Sequence, residues 1–239
     1  SIYENPNFKK QLIDAVQSLR VGPGYVFSTT VGPIIKKPEQ QLERALTALD
    51  DGEEWLIKPN QIDEAGLMWS AGVKTGVKPG SWSHLNEWFG PVLAIMVAPD
   101  LETAIEWQNA TDFGLTAGIQ SLDPKECEYW IENVEAGNLY VNRGVTGAIV
   151  NRQPFGGWKK SSVGATAKAG GPNYVATLRN WNQMKHFLPM KEAASKWLKS
   201  NIALAIDRSG LEVEQNVQRY RRNKKGFLVR IESGTSKDE

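Results

Sequence analysis

The chain has 239 residues, 41% hydrophobic and 23% charged, with 28 basic residues against 27 acidic ones and a net charge of +1. Such a composition specifies a soluble globular protein with a sizeable core and excludes a disordered chain. The even charge balance excludes a global field that would draw nucleic acid or an acidic membrane, and no apolar run approaches the roughly 20 residues that span a bilayer.

A single cysteine, Cys127, rules out an intrachain disulfide and is compatible with a reducing compartment, so a cytoplasmic location is expected. The amino-terminal stretch is polar and amphipathic and reads as no signal peptide. Asn5-Pro6 reads as a helix cap followed by a first-turn proline, so the chain enters a helix almost at once and without an initiator methionine. The expectation is a fragment of something longer.

The helix over 6–20 places Phe8, Leu12, Val16 and Leu19 near one face. The Gly- and Pro-rich stretch from Val21 to Ile35 predicts loop with short extended pieces. A second helix begins at Pro38, carries Leu42, Ala45, Leu46 and Leu49, and stops near Asp51-Gly52. EWLIKP and LMWSAGVKTGV are strand candidates.

The middle is the most regular part. Pro91–Ala98 is a near-continuous apolar run, as expected of a strand buried on both faces. A helix follows over 101–110, then a strand over Thr116–Leu122. Asp123-Pro124-Lys125-Glu126 combines a cap, a first-position proline and a glutamate three residues on, a strong helix start. That helix is expected to reach Ala136 and stop at Gly137, before the strand NLYVN. The order βαβαβ predicts an α/β fold, a mostly parallel sheet with helices on its faces. After Asn180 the character changes: MKEAASKWLKSNIALAI looks helical, the rest mixes strand signals with a basic cluster, and the last six residues are expected to be disordered.

Cys127, Trp130, Ile131 and Val134 share one helical face, so the thiol reads as a small core hydrophobe rather than a nucleophile. His84 and His186 have no metal-ligand companions at a standard spacing and read as surface or packing residues. The stretch from Gly147 to Gly171 is rich in glycine and carries Arg152, Lys159, Lys160 and Lys168, which suggests a phosphate cradle. The spacing fails that test, because Pro154 and Lys159 stand where a P-loop needs glycine.

Gly147-Ala148 follow a strand whose end would lie at the carboxyl edge of the sheet, where open α/β sheets bind ligands. Small residues let backbone N–H groups approach an anion, and Phe155 between Pro154 and Gly156-Gly157 offers an apolar wall. From the residues alone, a carboxylate-binding loop and a plain connection packed on the core both stay open. The same holds for NEWFGPV. Alternation puts Glu87 and Phe89 on one side, suited to sugar hydroxyls and a planar ring, but equally to an exposed carboxylate and a core aromatic.

NEWFGPVL, FGLTAGIQS, EAGNLYVNR, TGAIVNRQPFGG and KAGGPNY occur in that order. Together they resemble the carboxy-terminal half of the aldehyde dehydrogenase superfamily. The last two resemble the branch that oxidises L-glutamate γ-semialdehyde, the Δ1-pyrroline-5-carboxylate dehydrogenases, which includes the dehydrogenase module of bifunctional proline utilization A. The resemblance covers roughly residues 1–182, leaving 183–239 as an extension.

It implies that Glu87 and Phe89 hold the nicotinamide ribose end of NAD. It also implies that Gly147 and Ala148 bind the substrate carboxylate and that Phe155 lines its aliphatic part. In the family a cysteine thiolate attacks the aldehyde, hydride passes to NAD, and a glutamate assists thioester hydrolysis. The segments that carry the nucleophile, the glutamate and the Rossmann part lie upstream of this chain, so no catalytic residue is assigned within it. The chain alone is expected to be inactive, and FAD is expected only if a proline dehydrogenase module precedes it. Trp158, Lys159 and Lys160 depart from the usual pattern and receive no role. The expected partner is a small-molecule substrate, with no nucleic acid and no membrane span, in a protein that a homo-oligomer would suit.

Two alternatives accompany this reading. One is an aldehyde dehydrogenase of another substrate class. The other is a non-catalytic assembly or binding module using Arg219, Arg221, Arg222, Lys224 and Lys225, a cluster that otherwise reads as a solvated face.

Overall fold

A computed structural model describes residues 2–163, 168–180, 190–202 and 204–221. The expectations for His186, Arg222, Lys224, Lys225 and the last six residues lie outside the described residues.

Helix α1 (Pro6–Gln17) starts as its sequence dictates: the Asn5 side chain accepts from Asn7 N at 2.9 Å and Pro6 occupies the first turn. None of its residues is fully buried; Phe8, Leu12 and Val16 are half-buried and Leu19 is exposed. The stretch to Ile35 is loop with one extended bridge, Val21 to Val31. Helix α2 (Gln40–Thr47) buries Ala45 and Leu46 completely. Strands β1 (Glu54–Ile57) and β2 (Gly72–Thr75) pair antiparallel. The short α3 (Trp82–Leu85) is capped by the Ser81 hydroxyl and leads to β3 (Val92–Ala94), which pairs parallel with β2.

The second half repeats β–α–β logic. Helix α4 (Leu101–Asn109) is capped by Asp100, whose carboxylate accepts from Thr103 N at 2.7 Å. After the short β4 (Phe113–Gly114) and strand β5 (Thr116–Ile119), helix α5 (Pro124–Asn133) opens on Asp123, which accepts from Lys125 N at 2.8 Å. Glu126 does not close a capping box; it accepts from the Ser121 hydroxyl at 2.5 Å. Strand β6 (Asn138–Val141) pairs parallel with β5. Ile105, Ala117, Trp130, Val134 and Ala136 form the core between α4, α5 and this pair, and Leu101, Ile119, Ile131, Leu139 and Val141 pack on it. Strand β7 (Trp158–Lys159) pairs antiparallel with β4. Helix α6 (Met190–Asn201) follows, and β8 (Ala205–Asp207) and β9 (Val217–Arg219) form an antiparallel hairpin.

The α/β class stands, with three refinements. Among the described strands, parallel pairing is confined to β2–β3 and β5–β6, and β3 does not pair with β5, so the expected βαβαβ sheet is divided in two. The run Pro91–Ala98 is a strand only over 92–94 and is not buried on both faces: Leu93 is 49% exposed and Val97 40%. As the edge strand of its sheet, β3 has a neighbour on one side only, and its outer face is uncovered among the described residues.

Helix α5 also stops three residues early, at Asn133, because Val134 turns extended and buries its side chain. Gly137 is therefore not a helix stop. A Cβ there would lie 1.9 Å from Gly156 O, so its job is close backbone approach.

Candidate functional site

The loop after β6 carries the first set of candidates. Asn142, at φ 55°, turns the chain out of β6. Its side chain accepts from Ser121 N at 2.9 Å and donates to Ser121 O at 2.8 Å, which ties the exit of β6 to the exit of β5. Gly147 sits at φ +101°, a region closed to most side chains. Its carbonyl accepts from the buried Tyr140 hydroxyl at 3.4 Å and from the Gln153 amide, which in the orientation that satisfies both ends also accepts from Arg143. The carbonyl is thus held inward. Among the described residues no acceptor meets the backbone N–H of Gly147 or Ala148, and both residues are exposed.

Phe155 stands on the return of the same loop. Its N–H donates to Ala169 O at 3.0 Å and its carbonyl accepts from Ala169 N at 2.8 Å. Lys168 Nζ donates to Gly137 O at 2.5 Å, Asn138 Oδ1 at 2.9 Å and Gly156 O at 3.0 Å. Asn138 adds bonds to Pro154 O at 2.9 Å and from Gly156 N at 3.2 Å. The Phe155 wall is therefore riveted to the start of β6. Burial lowers the Lys168 pKa to about 8.

The β8–β9 hairpin closes a groove with Asn138, Tyr140, Arg143, Arg152, Pro154 and Phe155 on one side and Glu214 on the other. Glu214 accepts from Arg152 Nε at 2.5 Å, from Arg143 at 3.2 Å and from Asn216 at 2.9 Å. The Arg152 bond, then Asn216 and the arginine charges, hold its carboxyl down to about 2. Further along, Arg219 donates to Ile131 O at 3.0 Å and pairs with Glu132. Arg221 donates to Val134 O at 2.9 Å and to Glu132 O, and its guanidinium lies over the Trp158 ring at 5.0 Å. Arg219 and Arg221 are thus the missing caps of α5. That occupation replaces the solvated face expected of these two residues.

The other cations are also spoken for. Lys159 Nζ donates to Asn109 O at 2.6 Å and Thr111 O at 3.0 Å, closing the end of α4, and pairs with Glu135 at 2.9 Å. Lys160 pairs with Asp112 at 2.5 Å and lowers the pKa of that carboxyl through the bond itself. Arg152, Lys159, Lys160 and Lys168 each have an internal partner, so none is left to cradle phosphate.

Glu87 and Phe89 lie on the other half, between α3 and β3. Glu87 is exposed and Phe89 is 79% exposed, with the half-buried Trp88 turned inward between them. Phe89 is held at φ 51°. Both features fit the ribose and ring end of a nicotinamide nucleotide, a carboxylate and an aromatic face turned outward together. No described hydrogen bond or ring contact links this pair to Gly147, Ala148 or Phe155.

Cys127 is half-buried rather than a core residue: it lies outside the core cluster that holds Trp130 and Val134, lines the groove, and its thiol donates to Ser121 O at 3.7 Å. His84 accepts from Gly80 N at 2.9 Å and lies 2.8 Å from Trp107 O, which makes it a packing residue. No group of metal-ligating side chains occurs among the described residues. No helix among them is long and apolar enough to cross a membrane.

Sequence reasoning missed Glu214 and the bonding role of Lys168. Glu214 lies 62 residues from Arg152 with no spacing signal, whereas Lys168 was visible inside KAGGPNY as a lone cation among small residues.

Parallel β–α–β pairs with a loop of exposed backbone donors just past a strand's carboxyl end define an α/β domain of the class whose sheet edges commonly receive ligands. The aldehyde dehydrogenase family model matches residues 1–186, and the chain belongs to that family. The 1-pyrroline-5-carboxylate dehydrogenase of Geobacillus sp. (strain WCH70) is 35% identical over 166 residues, 69% of this chain and 32% of the relative. The chain therefore spans about a third of the length of the curated relatives it matches. Among solved structures, Proline Utilization A from Corynebacterium freiburgense aligns with a TM-score of 0.85 and 50% identity, covering 90% of this chain and 24% of that one. The 1-pyrroline-5-carboxylate dehydrogenase from Thermus with bound NAD aligns at 0.61 and 30% identity, covering 70% and 32%.

Proposed function

We propose that this chain is the carboxy-terminal part of an NAD-dependent dehydrogenase that oxidises L-glutamate γ-semialdehyde to glutamate. The observation that carries the reading is the Gly147-Ala148 pair: two exposed backbone donors with no acceptor among the described residues, on the loop that returns through the braced Phe155. A γ-semialdehyde of glutamate offers a carboxylate for the donors and a short aliphatic stem for Phe155. The Gly147 carbonyl is already engaged by the Tyr140 hydroxyl and the Gln153 amide. Glu87 would accept from ribose hydroxyls and Phe89 would pack the nicotinamide ring of NAD, which when bound accepts hydride. The relatives named as pyrroline-5-carboxylate dehydrogenases support this substrate, and the NAD-bound neighbour supports the cofactor.

The nucleophile, the general base and the adenosine site are assigned to parts of a longer enzyme, so this chain by itself should not turn over. The extension from residue 183 is read as shared with the Corynebacterium proline utilization A in particular, since the Bdellovibrio proline utilization A covers only 71% of the chain. The Corynebacterium structure aligns over 90% of the chain, against 70% for the Thermus enzyme. On that reading, a proline dehydrogenase module upstream would bring FAD. The test is NADH formation from pyrroline-5-carboxylate, measured for this chain and for the enzyme that carries it. Robust turnover by the chain alone overturns the division of labour. A panel of aldehydes with and without a distal carboxylate tests the substrate, and equal kcat/KM across the panel favours an aldehyde dehydrogenase of another substrate class.

A further inference from the structure

We propose that Trp88 is a positioning residue, the middle rung of a ladder of indoles and cations that fixes how Glu87 and Phe89 face a nicotinamide ribose. This rests on the cofactor role given to that pair above. The ladder crosses four elements. Arg44 of α2 lies over the Trp82 ring at 4.4 Å. Trp82 of α3 stacks on Trp88 at 5.7 Å with an interplanar angle of 1°. Lys74 of β2 lies 5.4 Å from the Trp88 ring and 5.0 Å from the Trp55 ring of β1. Lys74 is itself immobilised: its side chain is 1% exposed, donates to Ala48 O at 2.7 Å and pairs with an equally buried Glu53 at 3.5 Å.

The hold on Trp88 is through its ring faces. Its indole Nε1 is buried and has no acceptor among the described residues. The turn is also pinned from the next residue, since a Cβ on Gly90 would lie 2.2 Å from Leu42 of α2. Between these two fixed points Phe89 is driven into the left-handed region at φ 51° with its ring in solvent. An aromatic residue keeps that backbone only while its surroundings over-determine it. Releasing Trp88 lets Phe89 return to an ordinary φ, and its ring and the Glu87 carboxylate then no longer point out together.

The experiment uses the intact dehydrogenase carrying this chain, with Trp88→Leu, Trp88→Phe, Lys74→Met, Phe89→Ala and Glu87→Gln. Trp88→Leu and Lys74→Met are expected to raise the KM for NAD about tenfold with the KM for the aldehyde unchanged. Trp88→Phe, which keeps one aromatic ring face but loses the fused pyrrole ring with its unpaired N–H, is expected to recover part of the loss. The exciton signal of the Trp82–Trp88 stack in circular dichroism should vanish in both Trp88 variants, which shows that the rung has been removed. If Phe89→Ala and Glu87→Gln raise the KM for NAD while Trp88→Leu, folded by its melting curve, does not, the ladder has no positioning role. If none of the five moves it, the cofactor reading of Glu87 and Phe89 fails instead. An unfolded Trp88→Leu leaves Trp88→Phe and Lys74→Met to decide, and an unchanged KM in Lys74→Met overturns the proposal.

Discussion

Glu214 and Arg152 stand 62 residues apart in the chain, yet the Glu214 carboxylate accepts from Arg152 Nε at 2.5 Å. Through this bond the carboxy-terminal hairpin grips the loop that presents Gly147 and Ala148. Replacing Glu214 with Gln should loosen the hairpin, seen as faster amide exchange across β8 and β9. In the intact enzyme it should raise the KM for the aldehyde more than that for NAD. The pH dependence has a defined sign. A carboxyl held down to about 2 in the fold stabilises it above the ordinary carboxylate range and loses that contribution as pH falls toward about 2. The gap in exchange protection between wild type and Glu214→Gln should narrow across that window.

Lys168 gives the opposite arm of the pH scale. Its pKa falls from 10.5 to about 8 because burial disfavours the ammonium. Between those values the unfolded chain binds more protons than the folded one, so stability should rise with pH relative to Lys168→Met. The neutral amine has two N–H donors for three acceptors, so the Phe155 wall should lose one rivet over the same range. Urea melts of both proteins at pH 7, 8, 9 and 10 check the sign.

Phe155→Ala in the intact enzyme should raise the KM for glutamate semialdehyde, by roughly 15-fold if the ring covers its two methylenes. Circular dichroism should stay native, because the backbone bonds of residue 155 to Ala169 do not need the ring. An unchanged kcat/KM removes Phe155 from the site.

Gly137→Ala should destabilise the chain by about 1–3 kcal/mol or prevent folding, since the new methyl would meet Gly156 O at 1.9 Å. Gly147→Ala is the contrast. The nearest atom to its Cβ is 3.9 Å away, so only the backbone at φ +101° resists, at a cost of about 1–3 kcal/mol. Its effect should fall on the carboxylate-bearing substrate as well as on the melting temperature.

Trp130→Ala removes the largest side chain of the core between α4 and α5, which is 3% exposed, and strands its Gln108 partner. A loss of about 3–5 kcal/mol is expected, read as a drop in the denaturation midpoint.

What the sequence made legible was mostly local. Asn5-Pro6 and Asp123-Pro124 mark helix starts because cap and proline act on the next turn, and both helices begin there. The end of α5 was not legible, because its carbonyls are closed by Arg219 and Arg221 from 88 and 87 residues away. Gly137 therefore looked like a stop when it is a point of backbone contact. The run Pro91–Ala98 announced an apolar strand, but which layer covers it depends on residues that its own pattern cannot name. For the proposed site, motif resemblance nominated Glu87, Phe89, Gly147, Ala148 and Phe155. It left the bracing by Lys168, Glu214 and Trp88 unseen, since those contacts join segments with no shared spacing.

The arginine caps on α5 make the last described segment part of the folding problem. The last turn of a core helix, the one bearing Trp130, has carbonyls that β9 and its following residues satisfy. A chain stopped before residue 204 would leave these acceptors bare on the surface of the half that carries the Gly147-Ala148 loop. Truncation should therefore register first as a lower melting temperature and poorer expression, and shortened versions would be misjudged if scored by activity alone.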